Sequence, residues 1–175
     1  MMAERERNIV NAADSYVAID LETTGIGAKR EKITEIGMVK VENGAVTDTY
    51  HTLVNPGRPI PEHITELTGI DDDMVKDAPM IQDVIGEVIA FCGTLPVLGH
   101  QIMFDYGFLV QAAVNGKLRF ERSGIDTLKL CRKFMPPEEK KNLAAACAYF
   151  HAGPFRRHGG PRAVPGHEAA ASVRQ

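Results

Sequence analysis

The chain has no tryptophan, 6% aromatic residues and three cysteines in 175 residues. Cys92, Cys131 and Cys147 are odd in number and none stands in Cys-x-x-Cys spacing. That argues against a disulfide framework or a zinc ribbon and leaves core packing as their role. Long apolar runs are also missing. From Met1 to Asp14 charges alternate with small residues, so the stretch reads as neither a signal peptide nor a membrane anchor. No charge sign dominates: a net charge of −3 gives no global basic footprint. Any nucleic acid would have to be held by local positive patches, metal ions and backbone amides. What is present, 44% hydrophobic and 25% charged side chains, suits one soluble intracellular globular domain with a sizeable core.

Strand patterns come first. Ser15 to Asp20 is a short β-branched and aromatic run ending in an acid, and Ile33 to Val41 mixes apolar positions on both parities. Asn43-Gly44 then separates that run from Ala45 to Val54, and Asn-Gly favours the type I′ turn of a two-residue hairpin. Three antiparallel strands are expected. After Pro59 the period becomes helical: Pro61 suits a first helical position, Ile64 and Leu67 share a face, and Gly69 can close the helix in a left-handed conformation. From Met80, Ile81, Val84, Ile85, Val88 and Ile89 form one buried stripe before Gly93. Leu95 to Leu98 reads as a buried strand, Met103 to Val114 as an amphipathic helix, Ile125 as a strand end and Leu143 to Phe150 as a further helix. The order β-β-β-α-β-α-β-α predicts an α/β fold: a mixed sheet with an antiparallel start, parallel later strands and helices on its faces.

The acids acquire meaning from this frame. Asp20 and Glu22 stand two apart at the end of the first strand, so both project from one face of the sheet. Thr23, Thr24 and Gly25 follow at once, with hydroxyls and backbone amides that could grip a substrate end. By itself an Asp-x-Glu pair is more often a solvated edge. Asp105, at the start of a helix, reads alone as a capping or dipole-stabilising residue. Asp71, Asp72 and Asp73 most simply start a helix before Met74. Gln101 and His100 suit the turn before Met103, and Arg132-Lys133 and Lys140-Lys141 suit a solvated face better than a phosphate track.

Taken together, Tyr16-Val-Ala-Ile-Asp20-Leu-Glu22-Thr-Thr-Gly25, Gly99-His-Gln-Ile-Met-Phe-Asp105 and Gly124-Ile-Asp126-Thr-Leu resemble the motifs of DEDD-type exonucleases, in their histidine-bearing, DnaQ-like branch. Pro56-Gly-Arg-Pro-Ile-Pro61 and Ile64-Thr-Glu-Leu-Thr-Gly-Ile70 look like the intervening loop and helix of the proofreading group, which includes the polymerase III epsilon subunit and the PolC exonuclease domain. The resemblance runs from about Ser15 to Phe150. It implies a ribonuclease H-like fold and 3′→5′ hydrolysis of nucleic-acid ends, with DNA favoured over RNA. It also implies single-stranded 3′ ends and a DNA polymerase subunit as partners.

Phosphodiester hydrolysis builds negative charge on the attacking and leaving oxygens, which two divalent ions roughly 3.5–4 Å apart can stabilise. Hard carboxylates suit Mg²⁺ or Mn²⁺. By the resemblance, Asp20 would bridge both ions, Glu22 would hold the ion carrying the nucleophilic water, and Asp105 would support the second. Phe104, otherwise a core residue one helical turn from Phe108, would lie against the terminal base. Asp126 would support the site, or simply cap a helix. Three clustered carboxylates without metal should raise at least one pKa.

The chain departs from the family in its last motif, His-x-x-x-x-Asp, because no Asp follows Asp126. Counting from His167 the fifth position is Ser172, and from His158 it is Ala163. A third register places Pro161 at the histidine and Gly166 at the aspartate position. Glu168 is the only acid nearby, and Gly153, Pro154, Gly159, Gly160, Pro161, Pro165 and Gly166 break any helix before it. The expected organisation is an N-terminal extension over 1–14, an exonuclease domain over 15–152, and a diverged or truncated segment over 153–175. His167 is the histidine best placed as general base. Two function classes remain: an active exonuclease, and an impaired module that keeps the fold and grips single-stranded ends.

Overall fold

A computed structural model describes residues 14–151. The segment 153–175, with His158, Pro161, Gly166, His167, Glu168 and Ser172, lies outside the described residues, as does the expected N-terminal extension apart from Asp14.

The first three strands are β1 (Tyr16–Thr23), β2 (Ile33–Glu42) and β3 (Ala45–Leu53), joined antiparallel as expected. Asn43 and Gly44 both take positive φ, 53° and 77°, as a type I′ turn demands. Three helices follow: α1 (Glu62–Thr68), α2 (Asp72–Val75) and α3 (Ile81–Cys92). Then come β4 (Val97–Gly99), α4 (Met103–Asn115), β5 (Gly124–Asp126), α5 (Thr127–Phe134) and α6 (Leu143–Tyr149). The sheet order is β3-β2-β1-β4-β5, with β4 parallel to both β1 and β5. The mixed sheet read from the sequence is therefore present.

One short helix, α5, was absent from that reading, whereas α2 is the helix that the Asp71–Asp73 run was expected to start. In α2, the Asp71 side chain accepts from the Met74 amide at 2.8 Å, which is the N-capping role expected of the acidic run. In α5 Leu128 and Cys131 stand at helical spacing, with Met135 a turn further on, but the helix is eight residues long and buries only Cys131. One face was misassigned. Ile64 is 8% and Thr68 5% exposed whereas Leu67 is 61% exposed, because the inward stripe of this two-turn helix follows the i, i+4 spacing. Gly69 does close α1 in the left-handed region at φ 75°.

The core lies on one face of the sheet. Val17, Ile19 and Leu21 of β1 and Ile36 and Met38 of β2 share a buried cluster with Val84, Ile85 and Val88 of α3 and Phe108, Leu109 and Ala113 of α4. Alternation along β1 sends its other residues, Asp20 and Glu22 among them, to the opposite face. Burial of the apolar half of β1 thus fixes where its acids point. Among the described residues no helix is long and apolar enough to cross a membrane.

Candidate active site

β1 extends three residues beyond Asp20, so Asp20 and Glu22 are carried by rigid ladder-bonded backbone. Opposite Asp20 stands Gly37, which places no side chain beside that carboxylate. Opposite Glu22 stands Glu35, a like-charged neighbour of the kind that destabilises an antiparallel pair. Glu35 is itself held by His51 of β3, with Nε2 2.6 Å from Oε1. The sequence reading passed over Glu35 and His51. Strand pairing is the signal that links them to the site, since Gly37 pairs with both Asp20 and His51.

Asp105 arrives from α4. Because β4 ends at Gly99, the Leu21 amide of β1 has no strand partner on that side. Asp105 Oδ1 accepts from it at 3.0 Å, a tie between residues far apart in the chain. Asp105 is 6% exposed, and its pKa is pushed up to about 7 by burial first and then by the charge of Asp20. The Leu21 bond pulls the value down, while Glu22 adds a smaller upward push. Repulsion from the other two acids thus contributes to the raised value of Asp105, behind burial.

The turn that delivers Asp105 is tightly built. A Cβ on Gly99 would stand 2.8 Å from Ile102 Cδ1 and 3.2 Å from the Ile19 carbonyl, so only glycine lets β4 run this close to β1. Gln101 adopts φ 68°, a left-handed conformation that costs a non-glycine residue on the order of 1 kcal/mol. Its amide is held by Asp126 Oδ1 at 3.0 Å, and the same oxygen caps α5 through the Leu128 amide at 2.9 Å. His100 joins Thr127 Oγ1 at 3.1 Å to the Lys141 carbonyl at 2.8 Å. Gln101, His100 and Asp126 thus do the structural work read for them.

Thr23 and Thr24 point their hydroxyls inward. Thr23 Oγ1 donates to the Gly25 carbonyl at 2.7 Å, and Thr24 Oγ1 donates to Glu31 at 2.7 Å while accepting from the Lys32 amide and from Arg58. Arg58 also pairs with Glu31. This network clamps the loop after β1 to the Pro56–Pro59 loop, and a Cβ on Gly25 would press on the Glu31 side chain at 3.0 Å. Phe104 is partly buried, its ring 5.1 Å from that of Phe108.

Hard carboxylate oxygens in mutual repulsion fit a divalent cation. Among the described residues, no three Asp, Glu, His or Cys side chains form a ready-made metal cage. The donor chemistry of the three acids suits such an ion.

Residues 17–161 match the RNase T exonuclease family. The chain belongs to this family. It is 36% identical over 158 residues to the PolC-type DNA polymerase III of Caldanaerobacter subterraneus subsp. tengcongensis, and 37% identical over 161 residues to that of Bacillus subtilis. These alignments cover 90% of the chain but 11% of each relative, so the chain spans about a tenth of the length of those polymerases. Among solved structures, exonuclease X in complex with 5′ overhanging duplex DNA aligns with TM-score 0.62 and 27% identity, covering 82% of this chain and 81% of that one. E. coli exonuclease I in complex with a dT13 oligonucleotide aligns with TM-score 0.60 over 73% of this chain and 31% of its own; at 14% identity it speaks for the fold alone. The mixed sheet is the ribonuclease H-like exonuclease sheet.

Proposed function

We propose that this exonuclease-family domain removes nucleotides from the 3′ ends of DNA, in the 3′→5′ direction, with two divalent ions, Mg²⁺ or Mn²⁺. The observation that supports the reading is that Asp105 of α4 is bonded to the Leu21 amide, between Asp20 and Glu22 on β1, and feels the charge of both. The ions, when bound, neutralise charge on the attacking and leaving oxygens and lower the pKa of a water. Asp20, exposed, together with Glu22 and the buried Asp105 would hold the ions. Asp105 must lose its proton to serve, and the Leu21 amide keeps its carboxylate oriented when it does. The clamp of Thr24, Glu31 and Arg58 holds the loop after β1 rigid beside the acids, so that Gly25 can approach a strand end. Phe104 offers a ring edge for the terminal base.

Single-stranded DNA 3′ ends are the proposed substrate, with RNA the weaker alternative, and a DNA polymerase is the proposed partner. The PolC-type relatives support the polymerase association. His167 is proposed as the general base. One sequence feature favours a second reading, an impaired end-binding module: within these 175 residues no register of the last motif after Asp126 pairs a histidine with an aspartate five positions on. The deciding experiment follows digestion of 3′-labelled against 5′-labelled single strands with and without Mg²⁺ or Mn²⁺, in wild type and Asp20→Ala. Label released first from the 3′ end, and lost in the variant, is the expected result. Cleavage undiminished in Asp20→Ala would remove the site assignment, whereas metal-independent binding without release would favour the module.

A further inference from the structure

The helix α5 divides into three stripes. Cys131 faces the interior and packs with Met135 and Ala146. Lys129, Arg132 and Lys133 stand three and four residues apart, on one helical face, and all are exposed. Beside them Leu130 and Phe134, also one turn apart, are 43% and 59% exposed. Within Thr127–Phe134 there is no acid, and among the described residues none of the three cations is paired with a carboxylate.

Local helix physics does not account for this face. Like charges at i, i+3 and i, i+4 weaken a helix. Arg132 and Lys133 sit in the last turn, where the dipole favours cations, but Lys129 sits in the first, where it disfavours them. An external anion would offset both costs. Lys133 Nζ lies 5.3 Å from the Phe134 ring centroid, so a cation and an exposed aromatic are presented together. Basic side chains interleaved with an aromatic are what a single strand binds, phosphates to the cations and a base to the ring.

The helix is also in the right place. It starts at Asp126, whose carboxylate holds the Gln101 turn leading to Asp105, and β5 is separated from β1 by β4 alone. At about 4.8 Å per strand spacing, the start of α5 is on the order of 10 Å from the acids, a few nucleotides along a strand. We propose that Lys129, Arg132, Lys133 and Phe134 form the track for single-stranded DNA upstream of the 3′ end. This rests on the exonuclease reading above and adds where the strand runs before it reaches the acids.

The test measures binding rather than turnover. Anisotropy of 5′-fluorescein-labelled dT12 with the 175-residue chain in Ca²⁺ is followed against salt, for wild type and for Lys129→Ala/Arg132→Ala/Lys133→Ala. Each phosphate contact to a single strand contributes a slope of about 0.7 in log affinity against log salt. The triple variant is expected to flatten the slope by about 2 and to bind dT12 roughly tenfold or more weakly at low salt, while competition by unlabelled dT2 is unchanged. The single surface change Lys129→Gln, which should leave the helix folded, is expected to flatten the slope by about 0.7. Phe134→Ala should weaken binding at every salt concentration without altering the slope. Unchanged slopes in both cation variants would overturn the track, and wild-type binding of dT12 would then leave the exonuclease reading standing. Wild type that binds neither dT12 nor dT2 would sink both. Displacement of dT12 by poly-glutamate as effective as by unlabelled dT12 would assign the face to an acidic protein and overturn the proposal.

Discussion

Replacing Asp105 by Asn separates the charge of this residue from its shape. The Asn side-chain oxygen can still accept from the Leu21 amide, and its amino group can donate toward the neighbouring acids, so geometry is retained while one negative charge leaves. In wild type the folded-state pKa is about 7 against an ordinary 3.8. The native state therefore binds the proton more tightly than the unfolded chain, and stability falls as pH rises from about 4 to about 7, then levels off. Each tenfold step in proton affinity corresponds to about 1.4 kcal/mol, so the full effect is on the order of 4 kcal/mol. Between pH 5 and pH 8 the wild type should lose about 2–3 kcal/mol that Asp105→Asn does not lose. With a urea m-value of about 2 kcal/mol/M, this separates the two midpoints by about 1 M more at pH 8 than at pH 5. The assay is urea unfolding in EDTA at several pH values, followed by circular dichroism. Parallel pH profiles, or a variant less stable than wild type at pH 8, would refute the argument that Asp105 is buried at a cost. Millimolar Mg²⁺ should raise the wild-type melting temperature and leave that of the variant nearly unchanged, since a ligand stabilises only the state that binds it.

Gly99→Ala should destabilise by about 1–3 kcal/mol, because the Ile19 carbonyl cannot retreat from the ladder; an unchanged melting temperature would show that β4 and β1 tolerate separation. For the C-terminal segment, Ser172→Asp is expected to increase Mg²⁺-dependent release of 3′ label, with His167→Ala reducing it again in that background. If Pro161→His with Gly166→Asp restores activity instead, the other register holds, and if neither pair changes turnover in folded protein the segment does not reach the acids.

Much of this was legible because local rules and global structure agree. The Asn43-Gly44 turn, the Gly69 stop, the Asp71 cap and the stripe through Val84, Ile85 and Val88 are each decided within a few residues. The parity of Asp20 and Glu22 is equally local, since a strand that buries Val17, Ile19 and Leu21 must turn its acids the other way. The helix α5 was passed over although Leu128, Cys131 and Met135 fall at helical spacing, because it is short and follows β5 without a loop. Leu67 was misplaced because a seven-residue helix offers two near-equal choices of inward stripe, and packing against Ile60, Ile70 and Val75 made the choice.

The sequence by itself determined most of the elements, the mixed sheet and which acids to watch. Tertiary structure alone decided what those acids are. Asp105 is pushed up to about 7 because the fold buries it and sets it beside Asp20, while the Leu21 amide, left free where β4 ends at Gly99, holds the carboxyl in place and pulls the value down. Thr24, read as a hydroxyl for the substrate, is turned inward by Glu31 and Arg58. Glu35 and His51 enter the neighbourhood through strand register. Contacts of this kind join residues distant in sequence, and their energies depend on burial and on neighbours that no local pattern encodes.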